Sequence, residues 1–373
     1  MRGRARRWAS VTLVRHLTVA VLGVVAVTFV LTAVSDFRAI QLTEMAYLGT
    51  AAAGLTVLTG LNGQISLGHG ALMALGAYTT ALLLPDREAS TPLLLVVLLA
   101  VLVTVAAGVV VGVAAARLHG PYLAGATLAL AVAVPGIALH FESRLGGEQG
   151  LPVAPPEVPG WALDAGYFLT GEDPTRTKFI AYVAWLTLIV TFLLLANLSR
   201  SRVGRRWRAV RDDEVAAELA GIDLARARVS AFVVSAAAAG AGGAMLALAV
   251  RLAAPGSFTL VLSLTLLTAV VLGGLGSLTG ALLGAGLLTF LPQVVTDVGT
   301  DAGLSDIQAA QLSPLVYGVV MVVVVLLAPR GLMGTVHDLV VRRRRPAPPP
   351  PPDSPHPPSR AGAVSTTTKG TTP

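Results

Sequence analysis

Ten apolar runs, none with an Asp, Glu, Lys or Arg in its core, punctuate this 373-residue chain at about 17–34, 45–60, 68–84, 92–116, 121–139, 179–198, 229–250, 258–273, 280–296 and 313–328. A helix of roughly 20 such residues crosses the ~30 Å hydrocarbon core of a bilayer. In lipid only helices and closed barrels satisfy every backbone N–H and C=O, and runs of this length read as helices. The expected fold is therefore all-α: a polytopic transmembrane helical bundle of about ten spans. Cysteine is absent, which removes disulfide frameworks, thiolate metal sites and cysteine nucleophiles.

Charge placement sets the expected topology. With an even number of spans both termini share a side, and that side would hold 21 of the 27 Lys and Arg residues. The excess marks the cytoplasmic face, so both termini are expected inside a cell (inner or plasma) membrane. The same placement explains an isoelectric point near 10.3, because arginines flanking apolar spans meet anionic lipid rather than nucleic acid. A cleaved signal is a competing reading of the basic leader Arg2 to Arg15 with Ala33-Val34-Ser35. Its apolar stretch is longer than a signal core, and cleavage would break the charge asymmetry.

The chain divides accordingly into a basic cytoplasmic N-terminus (1–16), a transmembrane domain (17–335) and a tail (336–373). Within the domain, 140–178 is the one sizeable extracytoplasmic loop, rich in Pro and Gly, with a short helix expected near Trp161 to Phe168. Residues 199–228 form the large cytoplasmic loop. The tail joins Arg342 to Arg345 to the run Pro346 to Pro352; such sequence buries too little apolar surface to fold and is expected to be disordered or polyproline II.

What the spans lack narrows the chemistry. Carriers driven by protons or sodium usually keep an ionisable group in the membrane, at a cost of about 2.5–3.5 kcal/mol at a helix centre. Here Glu44 and Arg251 stand only at span edges. His69 has no second histidine or acid at ligand spacing, so neither a metal site nor an intramembrane hydrolase is assembled around it. It reads as a hydrogen-bonding histidine at a helix start.

Glycines 60, 63, 68, 70 and 76 interrupt what hydropathy would otherwise render as two plain helices, and Asn62, Gln64, Ser66 and His69 cluster between them. Broken backbone at membrane depth is tolerated where protein buries it or water reaches it. The segment is thus a candidate lining of a translocation path, the alternative being a turn packed by small residues. Gly273, Gly274, Gly276 and Ser277 form a second segment of related texture, each followed by Gly-Ala-Leu.

Between the sixth and seventh runs lies a charged island, Arg202 to Asp223. Asp212, Asp213 and Glu214 suit a helix start, and Gly221 suits the left-handed position that ends one. Val215, Leu219 and Ile222 recur at helical spacing on one stripe, with Arg208, Arg211 and Glu218 around it. Acids on such a helix face anionic lipid poorly, so a protein groove is the better partner.

Glu214-x-Ala216-Ala217-x-x-x-Gly221 resembles the cytoplasmic coupling loop of ABC importer permeases. Seven segments in order resemble, more narrowly, the permeases of high-affinity leucine/isoleucine/valine uptake systems, in their second permease type. They are Gly63 to Gly70, Gly120-Pro121-Tyr122-Leu123, Gly146 to Leu151, Arg211 to Glu214, Ser257 to Leu260, Val271 to Ser277 and Pro329 to Leu332. The resemblance implies a membrane-spanning transport subunit, not itself an enzyme, that works with ABC ATPase subunits, a second related permease and an extracytoplasmic solute-binding protein. It also implies that ATP is bound by the partner subunit and that this chain carries no cofactor and no metal. Its only lysines, Lys178 and Lys369, lie outside any phosphate-loop pattern. After Thr127-Leu128-Ala129, many relatives carry an acid where this chain has Val132 or its neighbours, and relatives also import urea, amides and other small organic solutes.

Overall fold

The computed structural model of the chain describes residues 2–85, 91–118, 121–154, 156–171, 173–327 and 331–335. Its helices are α1 (Arg2–Ala33), α2 (Asp36–Leu55), α3 (His69–Leu83), α4 (Leu93–Ala116), α5 (Pro121–His140), the single turn α6 (Glu142–Leu145), α7 (Gly160–Thr170), α8 (Arg176–Arg200), α9 (Arg202–Asp212), α10 (Glu214–Leu219), α11 (Leu224–Val250), α12 (Leu260–Gly273), α13 (Leu278–Asp301) and α14 (Asp306–Leu327). Strands β1 (Leu151–Pro152) and β2 (Leu252–Ala253) form one antiparallel pair. The expected disorder of the proline-rich tail and the Pro329-Arg330 pair lie outside the described residues.

Among the described residues, seven helices are long and apolar enough to cross a membrane: Val14–Ala33 of α1, then α4, α5, α8, α11, Pro255–Gly273 ending in α12, and α13. The protein is an all-helical, multi-pass membrane bundle. The sequence also places spans on α2, α3 and α14, which are not among these seven. At 1.5 Å per residue the 15 residues of α3 reach only about 22 Å. Helix α2 begins at Asp36, well before the expected edge near residue 45, so Glu44 lies inside a helix rather than beside one.

The core is organised around α11, which packs on α2, α3 and α4. Its composition explains how: Ser235 to Met245 contains only Ala, Gly, Ser and Met, so neighbouring backbones come close enough for dense van der Waals contact. A Cβ added to Gly243 would stand 2.0 Å from the Met73 carbonyl oxygen of α3, and one added to Gly76 would stand 2.2 Å from the Gly240 carbonyl oxygen. Lipid-facing helices look different: Val132, Phe29 and Leu94 project large apolar side chains outward.

The segment after α5 is ordered, as its sequence suggests, and α7 covers the short helix expected near Trp161. Gly146, Gly147 and Gly150 all adopt positive φ (77°, 57° and 72°). This lets the chain hook back so that β1 can pair with β2 at the end of α11.

Candidate functional site

The charged island folds as two helices, not one. Ser201 caps α9 by accepting the Val203 N–H at 3.1 Å. The island is fastened to the bundle by Trp207, which is fully buried and donates its indole N–H to Ser230 Oγ of α11 at 3.0 Å. Arg208 is half-buried on the same helix. The acids at 212–214 mark the start of α10, while α9 is the helix that the sequence did not set apart; the break comes at Asp213, whose extended backbone (φ −160°, ψ 110°) ends one helix and begins the next.

Asp213 is the N-cap of α10, its Oδ1 accepting the Ala216 N–H at 2.9 Å. At the other end Gly221 (φ 79°) closes a Schellman motif: its N–H reaches the Glu218 carbonyl at 2.9 Å, and the Ile222 N–H reaches the Ala217 carbonyl at 3.0 Å. Both features were readable from local rules. The apolar stripe divides, however. Ala217 is buried and Ile222 turns inward past the glycine, whereas Val215 and Leu219 stand 68% and 85% exposed. Asp212, Ala216 and Glu218 are exposed beside them. The outward surface of α10 is thus a two-residue apolar ridge flanked by acids.

Two side chains carry the island's position into the bundle. Glu214 Oε1 meets Arg228 Nη2 of α11 at 2.6 Å. The same arginine donates from Nη1 to the Ala116 carbonyl at the end of α4 at 3.3 Å, and its own carbonyl accepts from Gln64 Nε2 at 3.2 Å. Arg211 braces itself on Asp212 Oδ1 and donates from Nη1 to the Gly60 carbonyl at 2.6 Å. Sequence reading did not single out Arg228. Its signal is the second of two arginines, Arg226 and Arg228, in the opening turns of the helix, where the apolar run is about to begin.

Gly60 lies in a π-helical turn, Thr56–Leu61, that unwinds the end of α2; such turns often mark functional positions. The carbonyl that Arg211 grips belongs to a residue whose added Cβ would stand 2.2 Å from the Gly276 N atom. The two glycine-rich segments therefore pack directly on each other. Gly273 approaches Gly280 just as closely, and the Gly274 (φ 112°) and Gly276 (φ 84°) conformations turn the chain into α13, where Ser277 caps the helix by accepting the Gly280 N–H at 3.1 Å.

Residues 63–68 run non-helically between α2 and α3. Asn62, Gln64 and Ser66 point inward, while Gly63 and Ile65 are exposed. Gln64 Nε2 donates to Asn62 Oδ1. His69, fully buried at the first turn of α3, places Nε2 2.7 Å from Ser235 Oγ and Nδ1 3.4 Å from Ser66 Oγ. Hydroxyls from α5 and α12 secure the broken backbone: Thr127 Oγ1 accepts the Leu67 N–H at 3.0 Å and Ser263 Oγ accepts the Gly70 N–H at 2.9 Å. Asn62 Nδ2 and Gln64 Oε1 have no hydrogen-bond partner among the described residues, and unsatisfied buried amides are costly enough to be uncommon. All four polar residues of the segment are packed inside the chain in this conformation, so the group is a buried polar seam. Arg211 and Arg228 tie it to the island.

The family described as branched-chain amino acid transport system / permease component matches residues 38–325. The chain is 33% identical, over 293 residues, to the high-affinity branched-chain amino acid transport system permease protein LivM of Salmonella typhimurium, and 32% identical to LivM of Escherichia coli K12. Each match covers 75% of this chain and 66% of the relative. It is also 29% identical to the permease protein BraD of Pseudomonas aeruginosa, over 76% of this chain and 90% of that one. No solved structure matches.

Proposed function

The chain belongs to the permease-component family of branched-chain amino acid transport systems, and we propose that it is the membrane-spanning permease subunit of an ATP-driven importer. Its solute is a branched-chain amino acid (Leu, Ile or Val) or a related small solute, delivered by an extracytoplasmic binding protein. Support comes from the relatives, which are named as permeases of branched-chain amino acid transport. The observation that carries the mechanism is the double link from α10 and its flank, through Glu214–Arg228 and Arg211–Gly60, into the broken helix.

In this reading the exposed ridge of Val215 and Leu219, with Asp212, Asp213 and Glu218, seats in a groove of a separate ATPase subunit that binds and hydrolyses ATP. Movement of that subunit pulls α10. Because Glu214 and Arg211 connect it to α11 and to the Gly60 turn, the pull reaches the interface between the two glycine-rich segments. Small-residue contacts there allow sliding with little steric resistance. Asn62, Gln64, Ser66 and His69, with Gly273, Gly274, Gly276 and Ser277, then become the lining of the path. The ATPase must contact the island differently in its two states, since equal contacts shift no equilibrium.

The topology proposed with this function has ten spans: the seven long helices with α2, α3 and α14. Both termini and the island are cytoplasmic, as the arginine asymmetry supports. A second related permease subunit completes the membrane assembly.

The test is reconstitution. The chain is purified with its ATPase, second permease and binding protein, and leucine uptake into vesicles is followed with and without ATP. ATP-dependent uptake that stops when Val215 and Leu219 are both changed to Asp is the expected result. Concentration of solute by this chain alone, without ATP, overturns the proposal.

A further inference from the structure

A slot of about 360 Å³, remote from the island, runs between α1 and α8 under the roof of α7. Its floor is apolar. Ile189 lines it and packs on Gly23, where an added Cβ would stand 3.6 Å from Ile189 Cδ1. Beyond the floor the two helices are joined by His16 Nδ1 and Asn197 Oδ1 at 2.7 Å. Val24, Val27 and Leu186 line the walls. From Lys178 at the mouth to Ile189 at the floor, α8 rises about 16 Å at 1.5 Å per residue. That length is half of a ~30 Å hydrocarbon core, so the slot is one leaflet deep.

The mouth has different chemistry. Lys178 and Asp173 both line it, and neither forms an ion pair among the described residues. Helix α7 exposes Trp161, Tyr167 and Phe168, the side-chain type that gathers at the membrane–water boundary. An apolar slot one leaflet deep, with Lys178 and Asp173 lining its mouth, has the dimensions and the charges to suit a single phospholipid.

We infer that this slot binds one glycerophospholipid with a phosphoethanolamine headgroup, its phosphate on Lys178, its amine on Asp173 and one acyl chain lying between α1 and α8. The paired charges select the headgroup. A phosphatidylglycerol would leave Asp173 beside an anion with no amine to meet it, and a phosphatidylcholine ammonium has no N–H to donate. The bound lipid fills the gap between α1 and the helix on which it chiefly packs, so it fastens α1 to the bundle. On the topology proposed above the lipid belongs to the outer leaflet; the binding itself depends neither on that topology nor on the solute carried.

The full chain, delipidated in detergent, is titrated with phosphatidylethanolamine, phosphatidylglycerol or phosphatidylcholine, and one-to-one adducts are counted by native mass spectrometry. Phosphatidylethanolamine is expected to bind about tenfold more tightly than the other two, as one charge-assisted hydrogen bond allows. Lys178→Ala weakens all phospholipid binding, Asp173→Ala removes the preference for phosphatidylethanolamine over phosphatidylglycerol, and Thr28→Trp, which fills the slot from a partly exposed position, abolishes the adduct. A monodisperse elution profile establishes that each variant is folded. Equal binding of the three lipids, or an undiminished phosphatidylethanolamine adduct in folded Lys178→Ala or Thr28→Trp protein, overturns the inference.

Discussion

Arg228 of α11 and Glu214 of α10 meet at 2.6 Å, with the arginine side chain 7% exposed and the glutamate 50% exposed. The asymmetry matters. The cation is held inside the bundle, where its carbonyl also accepts from Gln64 and its guanidinium reaches the end of α4, while the anion belongs to the exposed outer face of the island. In the proposed importer the pair joins the surface that the ATPase grips to the buried seam that the solute crosses.

Glu214→Ala should destabilise the protein by about 1–3 kcal/mol, the range for depriving a buried polar group of its partner, and toward the lower end because the carboxylate is half in solvent. Adding Arg228→Met should recover part of that loss, since removing both members of the pair leaves no buried guanidinium deprived of its carboxylate. Thermal unfolding in detergent of both single variants and the double variant reads the coupling. Strict additivity would mean that the two residues do not act as a pair.

Arg211 makes a different kind of link, from a guanidinium to the Gly60 carbonyl. Lysine can supply a charge but not the fork that engages Asp212 and Gly60 together. In the proposed importer, Arg211→Lys should leave membrane insertion intact and ATP hydrolysis running, while uptake per ATP falls about tenfold, as loss of one charged hydrogen bond from a coupled state allows. The ratio of phosphate released to leucine accumulated is the measurement, and an unchanged ratio removes Arg211 from the coupling route.

Gly221 separates backbone strain from crowding. Its φ is 79°, yet no heavy atom lies within 4 Å of where a Cβ would be. Gly221→Ala should therefore cost about 1–2 kcal/mol through conformation alone, and Gly221→Asn should cost less, because Asn tolerates the left-handed region. Gly221→Pro, locked near φ −65°, should lose the Schellman turn and with it the seat of α10. Uptake that survives in full in the proline variant would argue that the end of α10 has no part in coupling.

Local rules made much of this legible in the sequence. The Asp213 cap, the Gly221 stop, the short helix over Trp161 and the long apolar helices each follow from neighbouring residues alone. Partners distant in sequence do not. Arg228 and Glu214 are on separate helices, Arg211 lies 151 residues from Gly60, and His69 lies 166 from Ser235. Hydropathy also placed the start of α2 late, near residue 45 rather than at Asp36. Its Ala- and Gly-rich stretch is a central packing helix, and the six-residue π-helical turn that unwinds it leaves no mark that hydropathy can read. The related texture of the two glycine-rich segments has a physical counterpart, because Gly60 and Gly276 touch.

The contact of α11 with its neighbours gives the last prediction. Gly76 brings α3 onto α11, and a side chain there would overlap backbone: a Cβ on Gly76 lies 2.2 Å from the Gly240 carbonyl oxygen, whereas one on Gly240 would meet the Thr104 side chain of α4. Neither helix can yield without disturbing the other close contact, Gly243 on Met73. Gly125 and Gly136 of α5 provide the contrast, since an added Cβ at either meets nothing within 4 Å. Gly76→Val should lose most folded protein, with overpacking costing about 1–3 kcal/mol or more because the obstacle is backbone. Gly125→Ala and Gly136→Ala should match the parent or gain slightly in helix stability, by up to about 1 kcal/mol. Folded yield by size-exclusion chromatography in detergent ranks the variants. A tolerated Gly76→Val would mean that α3 and α11 are not in backbone contact, and the packing of the bundle around α11 would have to be redrawn.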